Sequence, residues 1–127
     1  MKTNTIAQID ALRQGNQVDF AACLALFPVL EQAKTTPQDP VYHGEGDVWT
    51  HTQMVVSELL ALADFQVASE SEQRVLFLAA LLHDVAKYRT TVINEDGRIS
   101  QPGHSKKGAL DARILLWELG LPFTERE

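Results

Sequence analysis

The sequence predicts an all-α fold: one helical bundle with, at most, a small β-hairpin near residues 90–100. Three observations carry that expectation. Apolar residues recur at three- and four-residue spacing through most of the chain, which is the α-helical period. Glycines, prolines and capping side chains cut this pattern into helix-sized segments. No repeat, low-complexity tract or linker divides it. At 127 residues the chain has the usual length of one domain and buries roughly 65–70% of its unfolded surface on folding.

The elements follow in order. A first helix fits Thr5 to Arg13, with Ile6, Ile9 and Leu12 in phase before Gly15 stops it. Asp19 caps a second helix from Phe20 to about Ala33, kinked or restarted at Pro28, whose ring lacks an amide hydrogen and crowds the preceding turn. The loop TTPQDPVYHGEGD follows. A third, amphipathic helix runs from about Val48 to Ala63, with Val48, Thr52, Val55, Leu59 and Leu62 on one stripe and His51 at its edge. A fourth, from Ser71 to His83, carries the run VLFLAALL, apolar on every side and so expected in the middle of the core. Val92, Ile93 and Ile99 flank the turn-forming NEDG, the basis for the hairpin. Ser105 caps a last helix to Leu119, closed by Gly120 and Pro122. Beyond it, Thr124 to Glu127 reads as a capping box, a helix start, which suggests a fragment of a longer protein.

Composition narrows the function classes. With 45% hydrophobic and 22% charged residues, the chain is not of a disordered, collagen-like or disulfide-framework type. The longest uninterrupted apolar stretch, Phe20 to Leu30, contains a proline and is far short of a membrane span, so no membrane partner is expected. The amino terminus lacks the apolar block of a secretory signal and Cys23 is the single cysteine; a cytoplasmic protein is the simplest expectation. A net charge of −6 argues against non-specific duplex DNA binding. The charge is uneven, however: residues 1–82 hold 4 basic and 10 acidic side chains, whereas residues 83–113 hold 6 basic and 4 acidic.

The chemistry gathers in that later segment. All four histidines, His43, His51, His83 and His104, fall within 62 residues, and His51 and His83 stand where the apolar pattern predicts burial. His83 and Asp84 directly follow the eight apolar residues, so an imidazole and a carboxylate arrive together at the end of a core helix. A buried carboxylate demands a hydrogen-bonded ion pair or a cation. Two solutions are available. Lys87, one turn on, can pair with Asp84; alternatively, imidazoles and a carboxylate suit a divalent transition metal, with His51 converging from another helix. Histidines that merely pack in a plain helical bundle are the third possibility.

Three blocks, HGEGDVWTHTQMV (43–55), LFLAALLHDVAK (76–87) and QPGHSKKGALDARILL (101–116), together resemble the HD-domain metal-dependent phosphohydrolases. The first block is similar to HD domains appended to bacterial CCA-adding tRNA nucleotidyltransferases. It is closer still to the HD module of RNA-repair proteins that also carry a polynucleotide kinase. The resemblance covers about residues 20–123. It implies one HD-type domain over 1–127, with amino-terminal helices at 5–33 and a metal-site core at 43–119, and a nucleotide-handling or kinase domain further along the full-length protein.

By position, the resemblance makes His51, His83 and Asp84 ligands of a first divalent ion and His104 a ligand of a second. One or two ions are implied, with Mn, Ni, Co, Fe, Zn and Mg not distinguished. The family's distal aspartate has no counterpart within 127 residues; Asp111 is the available substitute, although it follows His104 by only seven residues. The implied catalytic groups are Asp84 and Lys87, the lysine stabilising charge on phosphoryl oxygens. His43, Lys87, Arg89, Ser105 and Lys106 are expected to bind substrate. Lys106 and Lys107 occupy the first turn of the last helix, where cations are unfavourable unless an anion joins them; Gly103 to Lys107 thus form a phosphate seat, or Lys107 pairs with Asp111. Tyr42 and Trp49 either stack on a base or pack. The expected activity is hydrolysis of phosphoesters of nucleotides or RNA ends, of the 2′,3′-cyclic phosphodiesterase or phosphatase type. The alternative is a non-catalytic metal- or nucleotide-binding module that regulates or positions a larger protein.

Overall fold

The computed structural model describes residues 5–37, 47–93, 95, 99–100, 106–107 and 111–112. Helix α1 spans Thr5–Asp10, and strands β1 (Arg13–Gln14) and β2 (Gln17–Val18) form a hairpin with Arg13 opposite Val18 and Gln14 opposite Gln17. The first helix therefore ends earlier than expected, because Arg13 is drawn into a strand. Gly15, at φ +61°, takes the first central turn position while Asn16 keeps a negative φ, the pattern of a type II′ turn matching the strand twist. Helix α2 covers Phe20–Leu26, and the Asp19 carboxylate accepts from the Ala22 amide at 3.0 Å as its cap. Pro28 ends it by restarting the chain as a 3₁₀ helix over Pro28–Thr35.

Helix α3 (Val48–Ala61) and helix α5 (Glu70–Leu82) form the central pair, with the 3₁₀ helix laid against α3 and a short α4 (Ala63–Gln66) at the turn between them. The core joins Ile9, Cys23, Phe27, Val56, Leu60, Phe77 and Leu81, each fully or almost fully buried; burial of one such large side chain stabilises the fold by about 1.5–3 kcal/mol. Two sequence expectations are corrected. The buried stripe of α3 is Val48, Trp49, Thr52, Val56 and Leu60, one residue out of phase from Val55 and Leu59 onward, and Leu62 lies past the helix at 55% exposure. Helix α5 is not enclosed on every side either, since Leu76 is 41% exposed.

Polar ties fix the amino-terminal elements to α5. The buried Arg74 guanidinium donates to both Asp10 carboxylate oxygens at 3.0 and 3.1 Å. Arg13 donates to Gln73 Oε1 at 3.0 Å and lies 5.1 Å from the Phe65 ring centre, a cation–π distance. After α5 come a turn over residues 83–86, the short α6 (Lys87–Thr90) and the expected hairpin, with β3 (Val92–Ile93) antiparallel to β4 (Ile99–Ser100). Of the last expected helix, residues 106–107 and 111–112 are helical; the capping box at 124–127 lies outside the described residues. Among those residues no helix is long and apolar enough to cross a membrane.

Candidate metal centre

Local capping decides where the first imidazole stands. The Asp47 carboxylate accepts from the Thr50 amide at 2.7 Å, and the Val48 amide donates to the Thr36 carbonyl at 2.9 Å. These bonds start α3 at Val48 and put His51 on its first turn, facing the end of α5. Helix α5 stops at Leu82, so His83 occupies its C-cap and Asp84 the next position of the turn. There the chain divides the pair: His83 stays 33% exposed at its side chain, while the Asp84 side chain is 5% exposed. The expected burial of the histidines is corrected accordingly. His51, at 18%, and His83 form the open side of a site whose floor is a buried carboxylate.

The two imidazole rings lie 5.6 Å apart, tilted by 57°. His83 Nε2 is 2.8 Å from Asp84 Oδ2 and His51 Nε2 is 3.8 Å from the same oxygen. One ligand atom from each of the three residues falls within a 4.8 Å group. The His83 Nδ1–H donates to the Ala80 carbonyl at 2.7 Å, which leaves Nε2 aimed at Asp84. A backbone bond of this kind is how metal-binding imidazoles are usually oriented.

The donor set fits a divalent transition cation. Bonds of about 2.0–2.2 Å hold neighbouring ligand atoms roughly 3.0–3.5 Å apart, and the observed 2.8 and 3.8 Å bracket that span. Small side-chain adjustments suffice.

Lys87 is buried and its Nζ lies 3.2 Å from Asp84 Oδ2, so the ion pair one turn away and the imidazole cluster coexist on one oxygen. Burial pushes the Asp84 carboxyl upward, but the hydrogen bond from His83 and the charges of His83 and Lys87 outweigh it and hold the pKa at about 2. Burial pulls His83 downward; its hydrogen bonds to Asp84 and to the Ala80 carbonyl, with the Asp84 charge, reverse this and raise its pKa. Both ring nitrogens of His83 therefore meet acceptors, and a cation at Nε2 must replace a proton.

Other expected site residues lie elsewhere. Arg89 donates to both carboxylate oxygens of Asp111, at 2.9 and 2.8 Å. This corrects Asp111 as a substitute ligand: its oxygens face a guanidinium, and it is not in the three-residue group. The same pair displaces the expected Lys107–Asp111 contact. Trp49 is 7% exposed and meets Phe20 edge-on at 5.7 Å, so it packs and does not stack on a base. Lys106 is helical and exposed. Tyr42, His43, Gly103, His104 and Ser105 lie outside the described residues. The carbonyl of Ala80 was missed from sequence, although a histidine three residues on at a helix end is a signal for such a bond.

The HD domain family profile matches residues 48–121, which include His51, His83 and Asp84. A multifunctional CCA protein of Pasteurella multocida (strain Pm70) is 28% identical over 104 residues, covering 82% of this chain and 23% of that protein. A multifunctional CCA protein of Thioalkalivibrio sulfidiphilus (strain HL-EbGR7) is 35% identical over 89 residues, covering 70% of this chain and 19% of that protein. The chain thus spans about a fifth of the length of these curated relatives. No solved structure matches it significantly.

Proposed function

Because the chain belongs to the HD domain family, a family of metal-dependent hydrolases, we propose that it hydrolyses phosphoesters of nucleotides or RNA ends, as a 2′,3′-cyclic phosphodiesterase or phosphatase. One observation carries the reading: His51 from α3, and His83 and Asp84 from the turn that ends α5, present three ligand atoms within 4.8 Å of one another. The likeness to two multifunctional CCA proteins supports RNA ends as the substrate class.

A divalent cation there supplies two things, a water whose pKa falls toward ~7 and a Lewis acid for a phosphoryl oxygen. The chain's own residues do the rest. When such a cation is bound, His51 and His83 would hold it through Nε2 and Asp84 through its carboxylate, and a second cation would draw on His104. Lys87, buried against Asp84, balances the carboxylate and adds positive charge beside the phosphoryl group. His43, Arg89, Ser105 and Lys106 are assigned to substrate binding, Arg89 in a position set by its pair with Asp111. A kinase or other nucleotide-handling domain in the full-length protein is part of the same proposal.

The test is hydrolysis of bis-p-nitrophenyl phosphate and of a 2′,3′-cyclic nucleotide by the full-length protein. Turnover requires added Mn²⁺, Ni²⁺ or Co²⁺ and disappears with chelator. A metal-replete protein that turns over neither substrate contradicts the proposal. The second reading, a non-catalytic metal- or nucleotide-binding module, keeps the same three ligands and the same Lys87–Asp84 pair. Metal uptake without turnover selects it.

A further inference from the structure

Against Asp84 lies a cavity of about 10 Å³ between the 3₁₀ helix, α3 and the turn after α5. That is the room one water molecule needs. Its walls are apolar at Val29, Leu30 and Val85, but Thr52 and Asp84 both line it. Thr52 is 2% exposed, and among the described residues no hydrogen bond satisfies its hydroxyl. Burying a hydroxyl without a partner is unfavourable enough that such groups are nearly always found bonded to protein or to ordered water. Here the residue that carries the hydroxyl and the one that carries an acceptor-only carboxylate line the same cavity.

We infer that a single buried water bridges the Thr52 hydroxyl to the Asp84 carboxylate, and that Thr52 is a positioning residue for Asp84. The hydroxyl donates to the water oxygen and the water donates one hydrogen to the carboxylate. The contacts to Asp84 from His83, Lys87 and His51 fall on Oδ2, and a carboxylate has lone pairs for further donors. A bond from the cavity side turns the carboxylate into a fixed plate between α3 and the α5 turn. Because Thr52 is next to His51, the same bridge couples the spacing of two of the three ligand atoms. The water itself is independent of any metal; the positioning role rests on the metal reading proposed above.

The experiment compares the full chain with Thr52→Val, which keeps the shape and removes the hydroxyl, and Thr52→Ser, which keeps the hydroxyl. If the hydroxyl had no partner, valine would leave stability unchanged or raise it. With the water in place, T52V lowers Tm by a few degrees and weakens Mn²⁺ binding by about 10-fold or more in calorimetric titration. T52S restores Mn²⁺ affinity to within about threefold of the parent, which a purely structural packing role would not predict. A high-resolution crystal structure of the parent shows a water within hydrogen-bond distance of Thr52 Oγ1 and Asp84.

An equal or higher Tm for T52V, together with no water at that position, overturns the bridge. A water that is present while T52V binds Mn²⁺ as tightly as the parent overturns the positioning role. A parent chain that takes up no Mn²⁺ refutes the metal reading and the positioning role with it, while the Tm difference and the ordered water still support the bridge.

Discussion

Replacing Lys87 by methionine keeps most of the aliphatic stem and removes the charge that faces Asp84. Both side chains are almost wholly buried, at 6% and 5% exposure, and the Nζ–Oδ2 distance is 3.2 Å. At an effective dielectric of about 20 the attraction at that distance is roughly 5 kcal/mol, and removing one partner of a buried pair costs about 3–5 kcal/mol. His83, 2.8 Å from the same oxygen, retains part of the compensation while it is protonated. A loss of about 3 kcal/mol is therefore expected for Lys87→Met, or about 10 °C in Tm for a domain of this size. Urea unfolding followed by circular dichroism reads it at pH 6 and again at pH 8. The loss grows as pH rises through the raised folded pKa of His83, and is smaller with saturating Mn²⁺, which takes over as counter-charge. A loss below about 1 kcal/mol, or an equal loss with and without Mn²⁺, would refute the reasoning that Asp84 is a buried carboxylate shared between Lys87 and a cation.

Four further outcomes are expected. Without metal, stability has two pH limits. The Asp84 carboxyl, lowered from 3.8 to about 2, contributes fully above about pH 4 and loses roughly 2 kcal/mol as pH falls through its folded pKa. The raised His83 pKa contributes fully below 6.5, and that part is lost as pH rises through the folded value; a flat profile from pH 2 to 9 in urea midpoints contradicts both. Mn²⁺ affinity runs the other way, growing as pH rises through the raised folded pKa of His83, and a titration in which affinity falls over that rise excludes Nε2 as a ligand. Asp111→Asn leaves Mn²⁺ stoichiometry unchanged, whereas His83→Ala/Asp84→Ala abolishes binding; equal loss in both would return Asp111 to the site. Asp47→Ala removes the cap of α3, lowers stability by about 1 kcal/mol and weakens Mn²⁺ binding through His51, which thermal unfolding and titration of the same sample separate.

The parts of the fold written in local chemistry were legible. Asp19 caps α2, Pro28 breaks the chain into a new helix, and Val92–Ile93 pairs with Ile99–Ser100 as the intervening turn-forming residues predict. The hairpin at 13–18 was overlooked because Ile6, Ile9 and Leu12 keep helical phase up to it, although Gly15-Asn16 is a turn signal. The phase of α3 was misread because Val55 and Val56, and Leu59 and Leu60, are adjacent apolar pairs. Only packing against α5 decides which member of each pair is buried. In the site, the His-Asp dipeptide after an apolar run announced itself, and the Lys87 spacing predicted its ion pair. The Arg89–Asp111 pair spans 22 residues, and no local pattern encodes a contact at that range. The exposure of His83 depends on α5 ending one residue earlier than the apolar pattern implies.

The account's central claim is that His51, His83 and Asp84 hold one divalent cation. A crystal grown with Zn²⁺ and measured at the zinc absorption edge tests it most directly. The account predicts one anomalous peak roughly 2.0–2.2 Å from His51 Nε2, His83 Nε2 and an Asp84 oxygen, absent from the His83→Ala/Asp84→Ala protein. A peak elsewhere, with His83 Nε2 still bonded to Asp84 Oδ2 at about its present 2.8 Å, contradicts it.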